Sequence, residues 1–475
     1  MDAVERAEQK DHFDVAVIGT GSGNSIPGGP LAGRRIAVVE EGTFGGTCIN
    51  VGCIPTKMFV YTAEIAETTH EGSRLGVDAH VDNVRWLDIR DRIFGRIDGI
   101  VAGGKRYRQS GGDGVTFFQG HGEFAVDQPG DGTYRLTITS GVQAGTSFTA
   151  DHVVLASGSR AIVPPQATES GVPFHTSDTV MRVDEVPKRL TIIGAGYIAA
   201  ELGHVFGALG AKVSIVARSN SLLQALDPEM SKRFTAAATA KWNVHLGRTI
   251  AKVEGDAAEQ RITLDDGQVV QSDLVLVATG RAPNSDRLGL EHVGVKVADD
   301  GVIVVDSHQQ TTVDRIWALG DVANRYQLKH VANHEERVVQ HNVAHYNDPS
   351  TWRESDHRFV PSAVFTHPQL AQVGQTEKEA LAAGFDVACA TQEFGSTAYG
   401  WAMEDTTSVC KVIADKRTGL LLGAQLIGPQ SSVLIQPLIQ AMSFGLPVKE
   451  MANGQYWIHP ALTEVVENAL LALEL

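Results

Sequence analysis

The chain has 475 residues, enough for two to four domains, with 43% hydrophobic residues, 20% charged residues and 49 glycines. This profile is that of a soluble globular enzyme with many tight turns. Its 40 Lys and Arg against 56 Asp and Glu give a formal net charge of −16, and with no basic run that balance excludes a nucleic-acid partner.

The opening segment, MDAVERAEQKDHFD, is polar and mixed in charge, without the features of a signal peptide. No apolar stretch approaches the roughly 18 residues of a spanning helix, so the expected location is the cytoplasm, away from membranes. Residues 13–18 (FDVAVI) and 36–40 (IAVVE) are apolar runs closed by glycines or an acid, the pattern of buried parallel strands. Between them stands Gly19-Thr20-Gly21-Ser22-Gly23-Asn24. Gly19 and Gly21 permit a tight turn and let backbone N–H groups approach a pyrophosphate at a helix start. Glu40, about 20 residues on, is placed to accept hydrogen bonds from a ribose diol. Asn24 occupies the third glycine place, and PGGP at 27–30 predicts a short or distorted following helix.

Residues 45–57, GGTCINVGCIPTK, hold two of the four cysteines, Cys48 and Cys53. A step of five residues turns a regular helix by about 140°, so bridging this pair requires a distorted helix start, and a strained exposed bridge is readily reduced. Pro55 is compatible with a first helical turn, and the following KMFVYTAEIAET suits a helix. The helix N-terminus and Lys57 both favour a thiolate. A zinc site would need two further ligands at suitable spacing, which Cys389 and Cys410 do not offer, and no metal is expected.

A second strand–turn–helix–strand unit begins about 175 residues later, at LTII (190–193) and Gly194-Ala195-Gly196-Tyr197, and runs to KVSIV (212–216); a nucleotide-binding unit takes roughly 30 residues. Two nucleotide sites are implied. The second returning strand is followed by Ala217-Arg218 rather than an acid, and Arg218 suits a 2′-phosphate, favouring NADPH over NADH. VVLASGSRA (153–161), with Gly158, and LVLVATGRAPN (274–284), with Gly280, share one pattern and read as exits from the two nucleotide units. Residues 123–148 and 253–273 alternate as meander strands do. From about 353 the composition shifts toward a separate α+β domain, which carries His459 and Glu464 in WIHPALTE. A disulfide-exchange enzyme needs a proton donor for the leaving thiolate, and Glu464 can hold the His459 imidazole in one tautomer. His330, His334 and His367 have no comparable context.

Taken together, the cysteine motif, the His-Pro motif and Ala318-Leu319-Gly320-Asp321 resemble those of the class I flavoprotein disulfide reductases, the family of dihydrolipoamide dehydrogenase and glutathione reductase, over essentially the full length. GTGSGNS, WAMED and QYWIHPALTEVVENALL are similar to the branch of that family that reduces mycothione, a neutral amide-and-sugar disulfide. The resemblance implies an α/β fold of two Rossmann-like domains and a C-terminal α+β dimerisation domain. The FAD-binding part is expected over 1–160, the NAD(P)H-binding domain over 161–284, a central region over 285–352 and the dimerisation domain over 353–475. It implies that Cys48 attacks the substrate disulfide and that Cys53 sits beside the flavin as the charge-transfer thiolate. Lys57 is implied near flavin N5, paired with Glu201, with Tyr197 over the nicotinamide pocket. Asp321 is the implied acid at the flavin's ribityl and phosphate region, and Thr47 is counted with the cofactor-binding positions. His459, oriented by Glu464, is implied to come from a partner subunit, making a homodimer obligatory. Relatives that use NADPH carry a second Arg shortly after the first; Ser219 to Gln224 contains none. Dihydrolipoamide dehydrogenase is the alternative within the family.

Overall fold

The first apolar run is a strand, His12–Ile18, in a computed structural model that describes residues 11–475; the polar segment 1–10, on which the signal-peptide expectation rests, lies outside the described residues. Val15 and Val17 point to one side of the sheet, with Ile36 and Val38, while Ala16 and Ile18 point to the other, with Ala37 and Val39. Burial on both faces is why the run is continuously apolar rather than alternating.

The chain divides into two compact units. The first comprises residues up to Pro55, Arg90–Ile162 and Arg281–Asp356. Its seven-stranded sheet has Val115–Gln119, Ile36–Glu40, His12–Ile18 and Ser147–Leu155 parallel in that order. Beyond Ser147–Leu155 the edge is shared. Tyr134–Ile138 pairs antiparallel with its first half, and Ile316–Ala318 pairs parallel with Val153–Leu155. Trp317 is fully buried there, packed edge-on to Trp352. The helix Lys329–Ala344 covers one face through Val339 and Val343. After the first glycine turn the chain forms only two short 3-10 turns, Ser22–Ser25 and Gly29–Leu31, as PGGP leads one to expect.

The second unit comprises Thr56–Ile89, Val163–Gly280 and His357–Leu475, so the expected insert at 161–284 and the C-terminal domain expected at 353–475 share one unit. Its four parallel strands run in the order Asn243–Leu246, Lys212–Ala217, Arg189–Ile193 and Leu274–Val277. A three-stranded meander, Ile250–Gly255, Gln260–Leu264 and Val269–Ser272, packs its apolar face in a cluster with Ile193, Val216 and Val277. The C-terminal part is a five-stranded antiparallel sheet, with Ser362–Val364 and Val387–Glu393 at its edges. Helices Gln436–Phe444, Val448–Asn453 and Thr463–Leu471 bury Leu438, Met451, Val465 and Val466 against it. Among the described residues no helix is long and apolar enough to cross a membrane.

Candidate active site

The first glycine turn follows the carboxyl end of His12–Ile18, where an open parallel sheet receives its ligands. Gly19 lies at φ +104°, and Gly21 precedes the Ser22–Ser25 turn. The third, close-approach role of the motif falls on Gly23, one position early. A Cβ there would stand 2.8 Å from Ala156 Cβ and 2.9 Å from Val17 Cγ1. Asn24 is therefore free to accept from the buried Arg108 guanidinium, through its carbonyl at 2.7 Å and its Oδ1 at 2.9 Å. Glu40 ends its strand with Oε2 accepting from the Thr20 N–H (2.8 Å) and hydroxyl (2.6 Å), and with Oε1 accepting from Gly42 N–H. The Thr20 hydroxyl in turn accepts from Gly45 N–H at 2.8 Å, which ties the acid to the cysteine loop.

That loop packs directly on the glycine turn: a Cβ on Gly46 would lie 2.6 Å from Gly21 Cα. Thr47 and Cys48 lie in a short helix, Gly46–Asn50, which stops at Val51 and Gly52 before a second helix, Cys53–Glu71, begins. This break answers the 140° problem, because the two cysteines belong to different helices. The buried Asn50 amide closes the loop by donating to the carbonyls of Phe44 (2.9 Å) and Gly46 (2.8 Å). Both cysteines are thiols here, and they interact. The hydrogen bond from the Cys53 thiol is the largest influence lowering Cys48 to about 7, aided by the positive charge of Lys329 and opposed by burial. The same bond pushes Cys53 well above the ordinary thiol range, with burial and the charges of Cys48 and Asp321 adding to it. The resemblance expects the charge-transfer thiolate at Cys53, beside a bound flavin; between the two thiols alone, their shared hydrogen bond lowers Cys48 and raises Cys53.

Asp321 lies in the turn Gly320–Val322 and accepts from the Ser159 hydroxyl at 2.7 Å. Arg281 donates to the same hydroxyl (2.8 Å) and to the Ser159 carbonyl (2.7 Å). Behind the turn, the fully buried Glu335 carboxylate accepts from Gly320 N–H at 2.7 Å and from the Asn324 amide. Gly158 accepts from Asn284 N–H through its carbonyl. Lys329, at the start of its helix, donates to Ser22 Oγ at 2.7 Å. Sequence reasoning assigned no role to Arg108, Ser159, Arg281, Lys329 or Glu335. Lys329 and Glu335 do lie in LKHVANHEERVVQHN, the helix directly after the Ala-Leu-Gly-Asp motif, and a lysine at that helix start was the available signal.

In the second unit, Gly194 is at φ +142° and Gly196 caps the helix Tyr197–Ala208, where an added Cβ would meet open space. Open space at a helix N-terminus is what the approach of a pyrophosphate requires. Tyr197 is exposed, and Glu201 accepts from Phe365 N–H at 2.9 Å. Lys57 stands 4.3 Å from the centroid of the same Phe365 ring and 3.5 Å from Glu64. Gly280, at φ +130°, follows the strand Leu274–Val277. Arg218 is exposed at the end of Lys212–Ala217. Arg248 stands beside it, its N–H donating to the Ala217 carbonyl, with its guanidinium 2.7 Å from Asp266. This is a neighbouring cation that a search of residues 219–224 could not find. His459 Nδ1 lies 2.7 Å from Glu464 Oε1, while Glu464 Oε2 accepts from Ala461 N–H. The carboxylate thereby selects the Nδ1–H tautomer and leaves Nε2 as the free nitrogen of a side chain that is 70% exposed.

Two sheets with parallel strands and glycine turns of the nucleotide-binding kind, one with a thiol-bearing loop packed on its first glycine turn, define an oxidoreductase that couples a dinucleotide to sulfur chemistry. The description "pyridine nucleotide-disulphide oxidoreductase" matches residues 13–335, and the dimerisation domain of that description matches residues 360–470. Mycothione reductase from Mycobacterium tuberculosis is 52% identical over 462 residues, covering 97% of this chain and 99% of that protein. Dihydrolipoyl dehydrogenase from Corynebacterium glutamicum is 33% identical, covering 97% of each. Among solved structures, LpdA from Mycobacterium tuberculosis shares the fold with a TM-score of 0.83 at 23% identity, covering 96% of this chain and 99% of that one. This chain belongs to the pyridine nucleotide-disulphide oxidoreductase family, whose members use FAD and NAD(P)H.

Proposed function

We propose that the enzyme reduces mycothione to mycothiol with NADPH, through FAD and the Cys48–Cys53 pair, as a cytoplasmic homodimer. The observation that carries this reading is the pair of free thiols, Cys48 and Cys53, held on two successive helices by a loop packed on the first glycine turn. The 52% identity to a mycothione reductase supports the choice of substrate. Gly19, Gly21, Thr47, Gly158, Glu40 and Asp321 would hold FAD, with Lys57 toward its reacting edge. Gly194, Gly196, Tyr197, Glu201, Arg218 and Gly280 would hold the nicotinamide nucleotide. When bound, FAD supplies the two electrons, taken from the nicotinamide, that open the Cys48–Cys53 bond.

The remaining steps belong to the chain's own side chains. The Cys48 thiolate attacks one sulfur of mycothione, forming a mixed disulfide and expelling one mycothiol thiolate. His459 Nε2, with the ring positioned by Glu464, takes the proton that Cys48 gives up on becoming the thiolate and returns it to this leaving thiolate. Cys53 then passes its own proton to the same Nε2 and attacks Cys48 Sγ, closing the protein disulfide and expelling the second mycothiol thiolate, which takes that proton. Supplying His459 from a partner subunit accords with the family's dimerisation domain and with the exposed Phe444, Tyr456 and Ile458 near it in sequence.

Steady-state rates with mycothione, glutathione disulfide and lipoamide, each with NADPH and NADH, test the proposal. A preference for mycothione with NADPH is expected. A preference for lipoamide with NADH would replace it by a dihydrolipoamide dehydrogenase.

A further inference from the structure

The helix that starts at the thiol pair ends in a second cluster of ligating groups, one that the sulfur chemistry does not use. Glu64, Glu67 and Glu71 lie along one face of Cys53–Glu71, at spacings of three and four residues. Glu64 is taken up by Lys57 at 3.5 Å and by the Gln369 amide at 3.3 Å. Glu67 and Glu71 instead converge on His367, and one ligand atom from each of the three lies within 4.8 Å of the others. His367 Nε2 is 2.6 Å from Glu71 Oε1. Stacked on the His367 ring, at a centroid distance of 6.4 Å and an angle of 23°, is His204. His204 is 4% exposed, its Nε2 has no hydrogen-bond partner, and the charges of Glu67 and His367 act on its ring. A buried ring nitrogen left without a partner, on a ring stacked against His367 and within reach of the Glu67 charge, is a costly arrangement in a site made only of ion pairs.

We propose that Glu67, Glu71 and His367 form a site for a divalent transition ion of the Zn²⁺ class, with His204 packed behind it as a further imidazole. One imidazole nitrogen and two carboxylate oxygens form a donor set suited to such an ion, and three protein ligands leave a position for water. All three residues are half-buried, so an ion can reach them from solvent. The cations facing the cluster are Lys241, ion-paired with Glu67, and Arg74, 3.7 Å from Glu71; Lys57 and Lys241 also act on His204. Lys241 is 38% exposed on a flexible stem. Its partner Glu67 is less exposed, so a dication entering the cluster must displace one ammonium and gains three-point coordination in return.

The test uses full-length, untagged, FAD-loaded enzyme in its oxidised state, where the closed sulfur pair offers no thiolate to compete for metal. Equilibrium dialysis against ZnCl₂ with elemental analysis is expected to give one Zn²⁺ per chain, and thermal unfolding should shift upward with added Zn²⁺. Glu71→Gln and His367→Asn should each weaken binding at least tenfold. Lys241→Met, which removes the competing ammonium and leaves every ligand in place, should tighten it several-fold, a reading independent of whether the ligand variants fold well. Substoichiometric zinc, an affinity unmoved by Glu71→Gln and His367→Asn, or a Lys241→Met variant that binds no tighter would each overturn the proposal and leave an ion-pair network at this helix end.

Discussion

Replacing Cys53 with Ala removes the S–H donor that contributes most to the acidity of Cys48. Cys48 is lowered from 9.0 to about 7, a difference worth on the order of 3 kcal/mol. That lies within the ~1.5–3 kcal/mol expected of a hydrogen bond to a charged group. Without the donor, burial opposes the Lys329 charge and the backbone N–H groups of residues 53 and 54, and the midpoint should rise toward about 9, near that of an ordinary thiol. The thiolate fraction at pH 7 then falls from about one half to about one hundredth. A more basic thiolate is intrinsically the better nucleophile, by roughly eightfold over two units. The alkylation rate at pH 7 should therefore fall only about sixfold, while the midpoint of its pH profile moves up by about two units. Iodoacetamide labelling of Cys48, followed by mass spectrometry across pH 5–10 on reduced wild type and variant, measures both quantities. Cys53→Ser keeps an O–H donor and should hold the midpoint nearer 7. A Cys53→Ala midpoint that remains near 7 would refute the reasoning and hand the acidity of Cys48 to Lys329.

Three further outcomes are expected. Glu464→Gln removes the carboxylate that orients His459, and kcat with a disulfide substrate should fall by about 10²-fold or more with KM little changed; an unaltered kcat would show that the pair is structural. Arg218→Ala should raise KM for NADPH by roughly 10–100-fold, the worth of one charge-assisted contact, and leave NADH nearly unaffected; equal losses with both would end the phosphate-reading role. Restoring the motif glycine, Asn24→Gly, should destabilise the protein by about 1–3 kcal/mol, because the buried Arg108 loses its Oδ1 acceptor. Thermal unfolding checks this, and an unchanged or higher midpoint would show that the side-chain bond contributes nothing.

What could be read from the sequence was local. The Cys48–Cys53 spacing required a helix break, and Gly52 with Pro55 supplies it within a few residues. His459 and Glu464 are five apart, and their hydrogen bond closes because His459 lies in the segment that leads into the helix Thr463–Leu471, whose first turn carries Glu464. The strands at 13–18 and 36–40 announced themselves because both faces are buried. The features that escaped are long-range. Arg108 reaches Asn24 across 84 positions, and Lys329 reaches Ser22 across 307. No motif spans such intervals, and so the reason for an asparagine at the third glycine place was invisible. Gly23 was hidden differently, since its role depends on how closely Ala156 and Val17 approach, which only packing decides. Lys57 lies beside Glu64 on its own helix and over the ring of Phe365, whose N–H Glu201 accepts, and no motif announces that meeting of positions some 300 residues apart.

The shared edge of the first sheet has a consequence for biosynthesis. Val153–Leu155 leaves the ribosome long before Ile316–Ala318, the strand that must lie beside it. At about 5–20 residues per second, that edge waits on the order of ten seconds or more with its backbone groups unpaired, and nascent or truncated chains ending before residue 316 are the ones most exposed to aggregation and most in need of a chaperone.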